Sequence, residues 1–192
     1  MYSGSWDETI CVWNTETHEL IATLEGHTDS VWCLTHHENK LVSGSGDKTI
    51  RIWNTETYEC IATLRGHTKG GVNCLTLHEN KLYSGSNDAT LMLWRRGDST
   101  SIRTYRDQVT PVNSVVTLDE NHFVSGSEDD TFKLWKKSDS IPVRTHRGHT
   151  NEVKSIAMID ASHFISGSEL VIIGFGGDDV TRLLGPLVIE NI

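Results

Sequence analysis

Serine, histidine and aspartate recur together along this chain, and they are the residue types of a nucleophilic catalytic triad. His27 precedes Ser43 and Asp47, and the same three types return in the same order further along the chain. Several copies of one active site within 192 residues would be anomalous. We therefore interpret the recurring residues as structural, and we expect no catalytic residue, no cofactor and no bound metal.

An internal repeat sets the spacing of these residues. The tripeptide Ser-Gly-Ser begins at positions 3, 43, 84, 125 and 166, so successive copies are 40 or 41 residues apart. An Asp follows each of the first four copies by two residues, and a Trp follows each Asp by six. Gly-His precedes three of the copies, which gives each unit a common set of polar landmarks.

Each repeat unit divides into four short segments with strand character. In the second unit they are Val31–His36, Lys40–Ser45, Thr49–Asn54 and Glu59–Leu64, rich in apolar and β-branched residues and separated by turn sequences. No segment has a sustained apolar spacing of 3.6 residues, so almost no helix is expected. Four antiparallel strands in each unit of ~41 residues are typical of one blade of an all-β propeller.

These motifs resemble those of the WD-repeat family over residues 2–168, although Asn, Arg or Lys follows the Trp where the family name has Asp. The resemblance implies a hydrogen-bonded chain in each blade, from the turn Asp through His and Ser to the indole N–H. Such a chain satisfies buried polar groups and holds a loop against a turn. The implied residues are His27, Ser43, Asp47, Trp53, His67, Ser84, Asp88, Trp94, Ser125, Asp129, Trp135 and His149.

The fourth unit departs from this pattern, since Asp107-Gln108 stands where Gly-His is expected. A neutral amide is a weaker partner than histidine for a buried carboxylate, so we expect a looser blade there.

The domain organisation is predicted to be a propeller array at residues 1–168 followed by a divergent tail at 169–192. The array contains three complete blades, at roughly 26–65, 66–106 and 107–147, and two incomplete ones. Propellers of this family typically have seven blades, which would need about 290 residues. Three alternatives are open: a fragment or truncated version of a larger propeller, a homodimer that completes a ring, or a small four-bladed ring in which Val153–Met158 pairs with the N-terminal half-blade.

Composition excludes several classes of partner. The formal net charge is −9, which argues against non-specific binding to nucleic acid or to an acidic membrane. The four cysteines form no Cys-x-x-Cys pair, so neither a disulfide framework nor a zinc site is expected. A reducing intracellular compartment, the cytoplasm, fits this cysteine usage.

The family resemblance implies a scaffold that binds protein or peptide partners. The expected docking surface is the loop face, formed by the loops that enter the first strand of each blade and the turns that hold the Asp. Exposed tryptophan is the residue type most enriched at the energetic centres of such surfaces. The loop-face residues are Trp6, Ser30, Trp32, Gly46, Asn73, Asn87, Pro111, Asn113, Glu128, Glu152 and Lys154.

The amino-acid sequences of the repeats are similar to those of propellers in F-box ubiquitin-ligase receptors and in myosin heavy chain kinases. An alternative function is therefore the substrate-recognition part of a ubiquitin-ligase or kinase assembly, and a further one is a truncated propeller with little independent function. Recognition of a phosphopeptide by converging arginines is not expected. The corresponding loop-face positions hold Trp32, Asn73 and Asn113 on the entering strands, with Lys48 and Ala89 after the turn Asp.

Overall fold

Five antiparallel sheets follow one another along the chain in the computed structural model, which describes residues 1–95, 99–106, 109–160, 163–168 and 188–191. Three sheets have four strands and two have three. The first sheet contains β1 (Tyr2–Gly4), β2 (Ile10–Trp13) and β3 (Leu20–Leu24); the second, β4 (Val31–His37), β5 (Lys40–Ser45), β6 (Thr49–Asn54) and β7 (Cys60–Arg65); the third, β8 (Val72–His78), β9 (Lys81–Ser86), β10 (Leu91–Arg95) and β11 (Ser101–Tyr105); the fourth, β12 (Val112–Thr117), β13 (His122–Ser127), β14 (Thr131–Lys136) and β15 (Pro142–Arg147); the fifth, β16 (Val153–Met158), β17 (His163–Ser168) and β18 (Val188–Asn191).

The three four-stranded sheets confirm the prediction of all-β blades. In each of them the strands pair in chain order, and every pair is antiparallel. The strand boundaries predicted for the second unit agree with the structure to within a residue, and its outer strand is Cys60–Arg65. The described residues form strands and turns, and they include no helix that is long and apolar enough to cross a membrane.

The two outer sheets show which of the predicted pairings form. In the fifth sheet, Val153–Met158 pairs with β17, and β17 pairs in turn with β18. The pairing of Val153–Met158 with the N-terminal sheet, which the small four-bladed ring requires, is therefore not formed: among the described strands β1 pairs with β2 alone. The strand at Val188–Asn191 was not anticipated from the sequence, because no repeat motif marks it.

Neighbouring blades meet through the glycine of each Ser-Gly-Ser. A Cβ added at Gly44 would lie 2.7 Å from Val72 Cγ1, and one added at Gly85 would lie 2.6 Å from Val112 Cγ1. Both valines begin the first strand of the next blade and are fully buried. The same contact recurs between Gly4 and Val31 and between Gly126 and Val153. Glycine is needed here because the next blade occupies the space of a side chain.

The hydrophobic core consists of four clusters that lie between successive sheets. Trp53, Trp94 and Trp135 occupy the repeated tryptophan position and are fully buried in these clusters, whereas Trp13 at the same position of the first sheet is half-buried. Because these positions are equivalent, a tryptophan recurs in three of the four clusters.

Replacing Gly85 with alanine should lower the free energy of unfolding by about 1–3 kcal/mol, because the methyl group overpacks the contact with Val112. Gly167 is the matched control, since no described atom lies within 4 Å of a Cβ built there. Urea unfolding of both variants measures the difference. Equal stabilities of the Gly85→Ala and Gly167→Ala variants would contradict this account of the blade interface.

Candidate functional site

A chain of hydrogen bonds links the incoming loop of the second sheet to its buried tryptophan. His27 Nδ1 lies 2.7 Å from Asp47 Oδ2, and His27 Nε2 lies 2.7 Å from Ser43 Oγ. The indole Nε1–H of Trp53 donates to the same Ser43 Oγ at 2.9 Å. The loop, the turn and two strands of one blade are thereby joined through four side chains.

The third sheet repeats this geometry. His67 lies 3.0 Å from Asp88 Oδ2 through Nδ1 and 2.8 Å from Ser84 Oγ through Nε2. Trp94 Nε1–H donates to Ser84 Oγ at 2.9 Å. Two independent copies with closely similar distances identify the network as a property of the repeat.

The direction of each bond follows from the donors available. An ionised aspartate accepts and does not donate, so Nδ1 of His27 carries the proton that faces Asp47. Nε2 lies within hydrogen-bond distance of the Ser43 hydroxyl, whose oxygen accepts from Trp53. The imidazole connects a hydroxyl to a carboxylate as a catalytic triad does, but the serine oxygen is fully buried against indole and has no access for a substrate.

The carboxyl group of Asp47 is held in its ionised form. Burial alone would raise its pKa, but hydrogen bonds from His27 and from the side chain and backbone of Thr49 more than offset burial. The pKa of Asp47 therefore lies well below its usual range. Asp88 has a lowered pKa for the same reasons, with His67 and Thr90 as its donors.

A threonine two residues after each turn Asp also belongs to this network, although its role was not predicted from the sequence. Thr49 donates to Asp47 Oδ1 through Oγ1 at 2.7 Å and through its backbone N–H at 2.8 Å. The other three turn aspartates have the same partner, at Thr9, Thr90 and Thr131. The signal was present in the sequence as a fixed Asp-x-Thr spacing.

The second serine of Ser-Gly-Ser ties the incoming loop to the blade. Ser45 Oγ donates to the backbone carbonyl of Asp29 at 2.8 Å, and Ser86 Oγ donates to that of Gly70 at 3.1 Å. The equivalent donors in the fourth and fifth sheets are Ser127 and Ser168. These loops are therefore held at a backbone atom as well as through histidine.

The remaining sheets hold shorter versions of the network. Trp135 donates to Ser125 at 2.8 Å in the fourth sheet, where Asp107 and Gln108 lie outside the described residues. Asp129 in that sheet accepts from Thr131. In the fifth sheet His149 Nε2 lies 2.7 Å from Ser166 Oγ, while its Nδ1 is buried and has no partner among the described residues. Burial lowers the pKa of His149.

Two exposed tryptophans stand on the loop face near the first blade interface. Trp6 is 86% exposed in the turn between β1 and β2, and Trp32 is 41% exposed on β4. Ser30 Oγ donates to the Trp6 carbonyl at 3.5 Å, which places the turn beside the entry to β4. The ring of Trp32 lies against the backbone of Gly71 in the next blade, so one edge is supported and the rest faces solvent.

The other predicted loop-face residues are partly engaged within the protein. Asn73 Nδ2 donates to Asn87 Oδ1 at 2.7 Å and to the Val112 carbonyl of the next blade at 3.0 Å. Asn113 makes a similar bond to the Val153 carbonyl at 3.4 Å. These amides therefore connect adjacent blades.

The loop face also includes charged residues. Glu152 and Lys154 form an ion pair with each other on the fifth sheet. The backbone N–H of Glu128 donates to the Pro111 carbonyl, a bond that involves its main chain and not its carboxylate.

Comparison with known families agrees with this geometry. The family model described as "WD domain, G-beta repeat" matches residues 18–54, 58–95 and 99–136, which together are more than half of the chain. The chain belongs to the WD40 repeat family.

A WD repeat-containing protein of Schizosaccharomyces pombe, described as uncharacterized, is 59% identical to this chain over 34 residues. The match covers 18% of this chain and 9% of that relative. This match agrees with the family assignment and gives no information on a specific partner.

Asparagine replaces the aspartate of the WD dipeptide in the first two WD40 blades. Asn54 Oδ1 accepts from the backbone N–H groups of Glu56 at 2.8 Å and Thr57 at 3.1 Å. Asn14 makes the same pair of bonds in the first sheet. Asparagine at this position therefore holds the turn before the outer strand.

No group of three or more potential metal ligands occurs among the residues that the structure describes. His36 stacks on Tyr2 of the preceding blade, with ring centroids 5.9 Å apart. Cys33 and Cys74 lie on equivalent first strands beside the interface glycines, and burial raises the pKa of the Cys74 thiol to about 12. We interpret both cysteines as packing residues of the WD40 core.

Replacing Asp47 with asparagine should lower the free energy of unfolding near neutral pH by about 2 kcal/mol, since hydrogen bonds to a charged group are among the stronger ones. The unfolded carboxyl group has a pKa of about 3.9, and the folded value is lower. The stabilisation is therefore complete above the unfolded pKa and is lost as the pH falls through the folded value.

The stability difference between wild type and Asp47→Asn should consequently shrink between about pH 5 and pH 2. Urea unfolding at a series of pH values measures it, with the exposed Asp139→Asn as control. A difference that stays constant over this range would show that the carboxylate charge is not what stabilises the blade.

Proposed function

We propose that this WD40 protein is a non-catalytic scaffold that binds protein or peptide partners through its loop face. The exposure of Trp6 and Trp32 on that face is the observation that carries the proposal. Tryptophan is enriched at the energetic centres of protein interfaces, where one side chain contributes about 2 kcal/mol or more. Trp6 projects from a turn and Trp32 from the beginning of β4, and the backbones of both segments are already fixed by hydrogen bonds, so little ordering is needed on binding.

The support of Trp32 by Gly71 favours this role. An indole with one edge packed on backbone has lost rotamer freedom before a partner arrives, which lowers the entropic cost of association. Trp6, in contrast, is nearly free of the fold and can be changed with little effect on stability. Variants at these two positions can therefore distinguish an effect on binding from an effect on folding.

Replacing Trp6 with alanine should weaken the affinity for a loop-face partner at least about tenfold, and Trp32→Ala should do the same. Ile102→Ala is the matched control, because Ile102 is 42% exposed on the outer strand β11, away from the loop face. Immobilised wild type and variants are compared for proteins retained from a cell extract, and Kd values are then measured with the purified candidate. A partner retained equally by all four proteins would place the binding surface elsewhere.

A more specific function, in a ubiquitin-ligase or kinase assembly, is suggested by the similarity of the repeat sequences alone. The same retained proteins test it, because ligase adaptors or kinase subunits would appear among those lost with the tryptophan variants. Partners of other kinds would leave the general scaffold function standing.

A further inference from the structure

A cavity of about 260 Å³ opens between the second and third sheets, remote from the loop-face tryptophans. Its walls are formed by Val42 and Leu64 of the second sheet and by Leu77, Leu82 and Trp94 of the third. Trp94 is fixed by its bond to Ser84, so the wall that it forms is rigid. An apolar recess with fixed walls and an open mouth is the usual form of a small-molecule site.

The repeat explains why a cavity exists at this interface. At three of its aliphatic wall positions, Val42, Leu64 and Leu82, the equivalent residue one blade further along is aromatic. Those equivalents are, in the same order, Tyr83, Tyr105 and Phe123. Replacing three rings with smaller side chains leaves the volume unfilled.

The aromatic residues show how the same space is filled at the next interface. The ring centroids of Tyr105 and Phe123 are 5.0 Å apart, and Phe123 stacks on Trp135 at 5.8 Å. At the preceding interface Tyr2 stands at the position of Val42 and stacks on His36. The interface between the second and third sheets is therefore distinguished by its small side chains.

The mouth of the cavity carries polar residues of mainly positive charge. Among the described residues of the rim, Lys40 and Arg95 lie beside His37, and Glu79 is the acidic residue. Glu79 also interacts electrostatically with Lys137 of the fourth sheet. The ammonium group of Lys40 makes no hydrogen bond or ion pair within the part of the chain that the structure describes. A cationic rim on a protein of net charge −9 favours an anionic ligand group at this place.

We propose that this cavity binds a small aromatic carboxylic acid of roughly ten to fifteen non-hydrogen atoms, a size suited to the lower end of small-molecule sites. The ring system lies against Trp94 and Leu82, where it replaces the aromatic side chains found at the neighbouring interface. The carboxylate meets Lys40 at the rim in a charge-assisted hydrogen bond. This site is independent of the loop face and of the scaffold function.

The test is a calorimetric titration of the full chain with 2-naphthoate. Wild type is expected to bind, whereas Val42→Tyr, which introduces the residue found at the equivalent positions 2 and 83, should weaken binding at least tenfold. Filling the cavity should also raise Tm, which reports that the variant is folded. Val143→Tyr, at an exposed position on β15, is the control and should bind as wild type does.

A second pair of variants tests the rim. Lys40→Gln should weaken the binding of 2-naphthoate at least threefold and leave that of the neutral 2-naphthylmethanol unchanged, while the loop-face control Lys48→Gln should change neither. Should Val42→Tyr fail to fold, Leu82→Phe, which introduces the residue type found at the equivalent position 123, takes its place. Absence of 2-naphthoate binding to wild type at millimolar concentration, or binding that survives filling of the cavity, would overturn the proposal.

Discussion

The Ser-Gly-Ser sequence on the second strand of each blade makes three different contacts, and the other contacts of the blade depend on them. The first serine joins histidine to tryptophan within the blade, as Ser43 does for His27 and Trp53. The glycine admits the first valine of the next blade, and the second serine holds the incoming loop. Because successive side chains of a strand point to opposite faces, the two serines can share one face while the glycine takes the other.

The buried carboxylate is the electrostatic counterpart of this arrangement. The side chain of Asp47 is 7% exposed, and an ion so placed must recover its lost hydration from fixed donors. It does so through His27, Thr49 and the backbone N–H of Thr28. His149 lies in a different electrostatic environment. It keeps its hydrogen bond to serine, while its second ring nitrogen is buried and has no partner among the described residues. The histidine–serine link is thus compatible with both electrostatic environments.

Much of the fold could be predicted because the repeat is visible in residues whose chemistry is specific. Gly-His, Ser-Gly-Ser and the spaced Trp marked the blades, and the four strands predicted for the second unit agree with the structure to within a residue. Threonine at Asp-x-Thr was missed because its hydroxyl has many ordinary uses in a strand or turn, and only the structure shows that Thr49 points back to Asp47. Asn73 was assigned to the loop face by its position, but the rotamer that turns its amide toward the next blade is not written in the sequence.

The cavity could not be predicted from the sequence, for a different reason. Val42 and Tyr83 are both apolar strand residues, and a pattern of apolar positions treats them alike. The free volume arises only when three reductions in size meet across one interface, and that coincidence requires the register of two sheets to be known. Packing density, unlike periodicity, is a property of pairs of elements.

The four blade interfaces are chemically distinct although the blades are close copies of one another. Tyr2 meets His36 at the first, aliphatic side chains pack with Trp94 at the second, Tyr83 meets Phe123 at the third, and Phe132 meets Phe164 at the fourth. A blade docked against the wrong neighbour would leave a void or a clash of one or more rings. The array therefore encodes the order of its own units, which guards a tandem protein against exchanging near-identical segments while it folds.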